Sequence, residues 1–229
     1  MQFLQNSSKG KRLFVGIAAA ATLALPLAAC GSTSDSTASA SSTKASVAKP
    51  AASIDALTGT DTAILLDKGF TDALTSLKLT PGVTGDAKLV DGSLVFPITG
   101  GNVTYFKPGT ASPYVIGQIQ HEGSGLSLTA GDTKVELTNL NVDPGVSRVY
   151  GDVSLNGKTV VNSAYLFTLN GTTLKPLQAS GDTAILEGTK VFISPVAADL
   201  LNSTFKTDAV TKDLLVGIAK ITVNTTSGN

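Results

Sequence analysis

The chain has 229 residues, with 17 Lys and Arg against 17 Asp and Glu, 15% charged and 5% aromatic residues, no Trp, one Cys and one His. Charge this sparse, without a Lys/Arg cluster in the body of the chain, excludes a polyanion binder and with it nucleic acid as a partner. The 23 Gly, together with recurrent Thr and Val, give the profile of an extracellular β protein more than that of a helical bundle.

At the N-terminus Lys9, Lys11 and Arg12 precede an uncharged, Ala-rich stretch, Leu13–Ala29, that contains Gly16 and Pro26. A cationic start followed by a short apolar core is the plan of a signal peptide, here 1–29; a membrane span needs about 20 apolar residues with a charged stop behind them. Leu27-Ala28-Ala29-Cys30 resembles a bacterial lipobox, which implies that Cys30 is the lipid-attachment residue, with a diacylglyceryl group on Sγ. At about 0.8 kcal/mol per buried methylene, two or three acyl chains hold a protein to a bilayer essentially permanently. The expected location is therefore the extracytoplasmic face of the cell membrane, with the membrane itself as a partner. An acylated Cys30 leaves no thiol for disulfide, metal or nucleophilic chemistry, and removal of the leader's three cations leaves 14 Lys and Arg against 17 Asp and Glu.

From Cys30 to Ala52 the chain is mostly Ser, Thr and Ala, too poor in large apolar groups to offset the entropy of ordering, and reads as a disordered tether. A flexible coil of roughly twenty residues reaches about 25 Å from its anchor. Residues 53–229 are expected to form one domain, long enough for a complete core.

Within it Thr62–Leu66 is strand-like, and Phe70, Leu74 and Leu77 stand at helical spacing behind Asp67, a candidate N-cap. Pro81-Gly82 reads as a turn, Asp91-Gly92 as a hairpin turn, and Lys107–Pro113 as a loop. Alternation then becomes regular. Ile116, Ile119, Leu126, Leu128, Val135, Leu137, Leu140 and Val142 are expected on one face of paired strands, with Gln118, Ser127, Lys134, Glu136 and Asn141 on the other. Arg148–Leu155 and Lys158–Leu169 join through Asn156-Gly157, and Thr183–Ile193 continues the pattern. Ser194 and Pro195 open a second short helix, and Leu214–Val223 forms a last strand. The segments Ala63–Leu79 and Lys190–Lys206 share a strand, cap and helix plan, as a weak internal duplication would. The fold class is all-β: an antiparallel β-sandwich, or a partly open barrel, with one or two short helices.

Leu94–Val103 ("LVFPITGGNV"), Gly117–Leu128 ("GQIQHEGSGLSL"), Val135–Asp143 ("VELTNLNVD") and Arg148–Val153 ("RVYGDV"), in that order, resemble the HtaA-like domains of secreted and surface proteins of actinobacteria. The resemblance implies a β-sandwich. In its haem-handling members it also implies a tyrosine ligand from the N-terminal helical segment, supported by a histidine further along. The matching segment here, Leu66–Leu79, has no tyrosine, so the candidate ligand-binding residues are His121, the only histidine, and Tyr114, a few residues before it. Imidazole either ligates ferric haem or supports an axial tyrosinate; the plainer alternative places His121 at a strand end, exposed or hydrogen-bonded to backbone. Tyr105, Tyr150 and Tyr165 fall in strand-like text, where a ring ordinarily packs and its hydroxyl stays wet.

For catalysis, one His without a nucleophile elbow offers little. Asp143, Asp152, Asp182 and Glu187 are open to convergence in space and are equally explained as turn formers. The expected function is a lipid-anchored, non-enzymatic binding or structural domain, with an envelope protein, a glycan or another envelope component as partner. The second reading is a haem-binding or haem-relay module, and the third an envelope hydrolase.

Overall fold

The computed structural model describes residues 48–226; the leader, Cys30 and nearly all of the tether lie outside the described residues. Thirteen strands are found among them: β1 (Ala52–Ile54), β2 (Thr60–Leu66), β3 (Thr80–Gly85), β4 (Lys88–Val90), β5 (Ser93–Pro97), β6 (Gly100–Tyr105), β7 (Val115–Ala130), β8 (Thr133–Asp143), β9 (Arg148–Leu155), β10 (Lys158–Asn170), β11 (Gln178–Ser180), β12 (Thr183–Ile193) and β13 (Leu215–Asn224). Two helices, α1 (Lys68–Ser76) and α2 (Pro195–Phe205), interrupt them. The strands form one antiparallel sheet in the order β1-β6-β7-β8-β9-β10-β12-β13-β2-β5-β4, with β3 added to β7 and β11 to β12. The all-β expectation therefore holds in its partly open barrel form: a single curled sheet.

The curl is visible in the chain path. Strands β5 and β6 stand near opposite ends of the strand order, yet only Ile98 and Thr99 separate them. The Ile98 N–H donates to Thr60 O at 2.9 Å and the Thr99 N–H to Gln120 O at 2.8 Å, so the connection ties β2 to β7. The sheet is curled into an open half-barrel.

What bends it is a row of bulges at one level. Glu122, Gly123 and Ser124 of β7 stand opposite Asn139 alone, Asn139 and Leu140 stand opposite Gly151, and Asn162 and Ser163 stand opposite Asp152. Extra residues shorten the hydrogen-bonded ladder and sharpen the twist. Side chains bridge the gaps: Asn139 Oδ1 accepts from Gly123 N at 3.1 Å, Asn139 Nδ2 donates to Asp152 Oδ2 at 2.9 Å, and Asp152 Oδ1 accepts from Ser163 N at 2.9 Å.

The bulges also decide which apolar residues point inward. Leu137 and Leu140, an odd number of residues apart, are 4% and 5% exposed because the bulge at Asn139 resets the alternation. No bulge separates Ile116 from Ile119, and the expectation that both face the core is corrected. Ile119 is buried, whereas Ile116 is 38% exposed, since a strand of period two cannot put both on one face. Ser127, expected on the polar face, is buried beside Gly82 of β3.

A second correction concerns Pro81-Gly82, which lies inside β3 and makes no turn. β3 pairs only with β7, and an edge strand tolerates a proline that has no N–H to give. The hairpin turns hold: Asp91-Gly92 (φ 48° and 74°) joins β4 to β5, and Asn156-Gly157 (φ 50° and 80°) joins β9 to β10, the left-handed pair that a two-residue hairpin requires.

Both helices start where their caps predict. Asp67 accepts from Gly69 N at 2.8 Å, and Ser194 Oγ accepts from Ala197 N at 3.0 Å with Pro195 in the first helical position. Because β2 and β12 both run antiparallel to β13, they are parallel to each other, and α1 and α2 leave the sheet at the same end. Phe70 and Leu74 of α1, and Ala197, Ala198 and Leu201 of α2, join the single core. That end is closed.

Candidate functional site: an apolar cavity with a buried histidine

The opposite end is open. Inside the curl lies a cavity of about 460 Å³, lined from β2, β5, β7, β8, β10, β12 and β13 by Ile64, Phe96, Ile119, Val142, Phe167 and Ile221 among others. No Lys, Arg, Asp or Glu contributes to the lining. Its mouth is formed by β1, by Ser112–Tyr114 ahead of β7, by Pro144 and Ser147 between β8 and β9, and by Gly171–Leu174 after β10. Small-molecule sites are typically concave and mostly apolar, with volumes of roughly 300–1,000 Å³ and a few fixed polar groups.

His121 and Thr62 are the buried polar pair of the lining; Thr189 of β12 adds a hydroxyl to the wall, and the remaining Ser, Thr and Tyr side chains stand towards the mouth. The structure does not place His121 at a strand end: it lies within β7, points into the interior beside Phe96 and is 1% exposed. Its Nδ1 lies 3.2 Å from Leu140 O and its Nε2 2.8 Å from Thr62 Oγ1. A carbonyl only accepts, so Nδ1 carries the proton; the Thr62 hydroxyl then donates to the Nε2 lone pair. Burial pushes the imidazole down to about 4, and the Leu140 carbonyl offsets this only in part, so His121 is neutral at pH 7. The hydrogen bond crosses the interior from β7 to β2.

Tyr114 does not meet His121. It sits just ahead of β7 at the mouth, its ring edge-on to Tyr105 with centroids 6.2 Å apart and its hydroxyl beside Gly171. Partial burial raises its pKa, and Tyr105 adds to the shift. Tyr150 and Tyr165 lie outside the cavity on the outer face, where the Arg148 guanidinium stacks 4.5 Å above the Tyr165 ring.

His121 and Tyr114 are not brought together as a ligand and its supporting group. The one imidazole lone pair already accepts from Thr62, and the tyrosine nearest it in sequence is at the other end of the cavity. These residues also make a poor hydrolase. Thr62 and His121 have the connectivity of a nucleophile and its base, but an imidazole held near 4 binds a proton weakly, and its orienting partner is a neutral carbonyl, not a carboxylate. Ser124 donates to the His121 carbonyl and makes no bond to the ring.

The four carboxylates do not converge. Asp143 meets Gln118, Asp152 bridges the bulges, Glu187 pairs with Lys175, and Asp182 occupies the turn before β12. Among the described residues no three acidic, His or Cys side chains gather as a metal site would require. Thr62 and the cavity itself were not readable from the sequence, because the lining residues are of the same types as the core and the Thr62–His121 pair joins positions 59 apart.

No family model matches the chain, and no curated protein matches it. In structure it is similar to the C-terminal domain of HtaA from Corynebacterium glutamicum, with 12% identity, a TM-score of 0.47, and coverage of 75% of this chain and 98% of that one. It is also similar to a domain-swapped dimer of a histidine-to-alanine variant of that domain, with 13% identity, a TM-score of 0.42, and coverage of 68% and 89%. These are distant likenesses of fold to HtaA-like domains, the group that the strand motifs from Leu94 to Val153 resemble.

Proposed function

We propose that this protein is a lipid-anchored, non-enzymatic binding protein of the extracytoplasmic face of the cell membrane, and that it holds an apolar small molecule inside its curled sheet. The observation that carries this reading is the cavity of about 460 Å³ without a charged side chain in its lining. A hollow apolar interior forgoes the packing that a filled one would gain, and sequences that break a packing rule usually do so at a functional site. The anchor in this reading is supported by Cys30 and its lipobox-like flanking residues.

Titration of the full chain with the neutral fluorophore N-phenyl-1-naphthylamine tests the cavity. Saturable enhancement at a single site is the expected result, and a linear, unsaturable response removes the proposal. Hemin is the competing occupant: a Soret shift that disappears in His121→Ala would replace the apolar-ligand reading with the haem one. Metabolic labelling with a radiolabelled fatty acid, lost in Cys30→Ser, tests the anchor separately.

A further inference from the structure

Resting on that cavity reading, we infer that the ligand is the acyl chain of a membrane lipid, which enters through the mouth where the tether joins the fold. Four observations converge on it.

The first is the chemistry of the walls. With no charged residue in the lining, with His121 and Thr62 satisfying each other, and with Thr189 of β12 the other hydroxyl set in the walls away from the mouth, the interior offers few partners to a ligand that is polar along its buried length. The second is shape. From Val115 at the mouth to His121 at the floor is six residues of β7, a path of about 20 Å at about 3.3 Å per residue that the tilt of strands in a curled sheet brings to about 15 Å of depth. One leaflet of bilayer hydrocarbon is about 15 Å deep, half of a core of about 30 Å. A modest volume drawn out over that depth is a slot that suits a flexible chain.

The third is the rim. Ile116 and Val146 are 38% and 55% exposed, and the turn at Gly145 brings the two segments together beside the Ile116 side chain. Tyr105 and Tyr114 stand at the same mouth, and tyrosine, with an apolar body and a wet hydroxyl, is enriched where hydrocarbon meets water. The fourth is position. β1 lines the mouth, and Cys30 stands 22 residues before Ala52, so an anchor there would keep the opening within 22 residues of chain from the lipid.

The experiment uses the full chain carrying Cys30→Ser, which removes the expected anchor, mixed with phosphatidylcholine vesicles bearing a fluorescent acyl chain and then re-isolated by gel filtration. Lipid should co-elute with the protein. Ile116→Asp combined with Val146→Asp should slow uptake from vesicles by about tenfold and leave binding of free palmitate unchanged. Ala52→Trp, at an exposed position in the mouth, should weaken both, as should Ala184→Phe in the cavity wall near it, with far-ultraviolet circular dichroism unchanged. A chain that binds N-phenyl-1-naphthylamine but neither lipid nor palmitate would overturn the acyl assignment while the cavity reading stands. Palmitate binding without uptake from vesicles would overturn the membrane source, and a chain that binds none of the three would end both proposals.

Discussion

The two ends of the curled sheet are built from the same kinds of residue and finished differently. At the helix end Leu166, Val153 and Val135 are 0–1% exposed, and α1 and α2 fold over the strand ends to complete the packing. At the mouth, Leu, Ile, Val and Phe side chains of β7, β10, β12 and β13 face each other across empty space. The difference shows that hydrophobic patterning sets which face is inside, whereas the elements that cap the barrel set whether that inside is filled. Each strand and helix unit, β2–α1 and β12–α2, spends its helix at one end, and the other end receives loops, the short β1 and the single 3-10 turn Gly171–Thr173.

The sharpest way to break this comparison is to truncate a side chain at the closed end. Leu166→Ala leaves a void among atoms that have no room to relax, and a fully buried Leu→Ala change costs about 2–5 kcal/mol. Leu177→Ala at the mouth removes a side chain that already borders empty space and should cost less than about 1 kcal/mol. Urea unfolding of both variants measures the difference; equal losses would mean that the two ends are packed alike.

The floor of the cavity gives the next largest effect, and it depends on pH. Above about pH 6.5, the ordinary histidine value, His121 is neutral in both folded and unfolded chains and its contribution is constant. As pH falls from there towards 4, the unfolded chain takes up a proton that the folded one refuses, because burial holds the folded value near 4. Stability should therefore decline across this window by up to about 3 kcal/mol, at about 1.4 kcal/mol per unit. His121→Asn should flatten that slope whatever it does to stability at pH 7. Denaturant midpoints across the window check this, and parallel slopes in the two proteins would show that His121 is not sealed from water.

How far the sequence announces these two ends depends on how local the governing chemistry is. The Asp91-Gly92 and Asn156-Gly157 hairpins and the caps at Asp67 and Ser194 are legible, since each is a short-range rule about φ or an orphan N–H. The inward set Leu126, Leu128, Val135 and Leu137 is legible from the local period of two, whereas Ser127 is buried against β3 and Leu140 faces inward only through the bulge at Asn139. Ile116 and Pro81-Gly82 are misread because their placement depends on a partner strand: Ile116 needs to know where bulges fall, and Pro81 needs to know that its strand is an edge. His121 stands out as the only histidine, yet Thr62 carries no mark until the sheet curls and brings β2 opposite β7. The cavity is the least legible feature, because an apolar residue that lines a void and one that fills a core are written with the same letters.

The smallest expected effect separates the two ends by its sign. Ala184 borders the cavity near the mouth, and Ala197 of α2 is 2% exposed in the closed core. Enlarging either to Phe adds the same atoms. At Ala197 there is no space to receive a ring, and overpacking should cost about 1–3 kcal/mol through displaced neighbours. At Ala184 the ring enters the cavity and meets apolar walls, so the buried area it gains at about 25 cal/mol per Å² offsets its lost rotamer freedom. The net change should lie within about 1 kcal/mol of zero and tend towards stabilisation. Thermal unfolding of the pair decides it: a higher Tm for Ala184→Phe with a lower one for Ala197→Phe marks a chain that keeps one end hollow, because a substitution that would firm the fold is available and is not used.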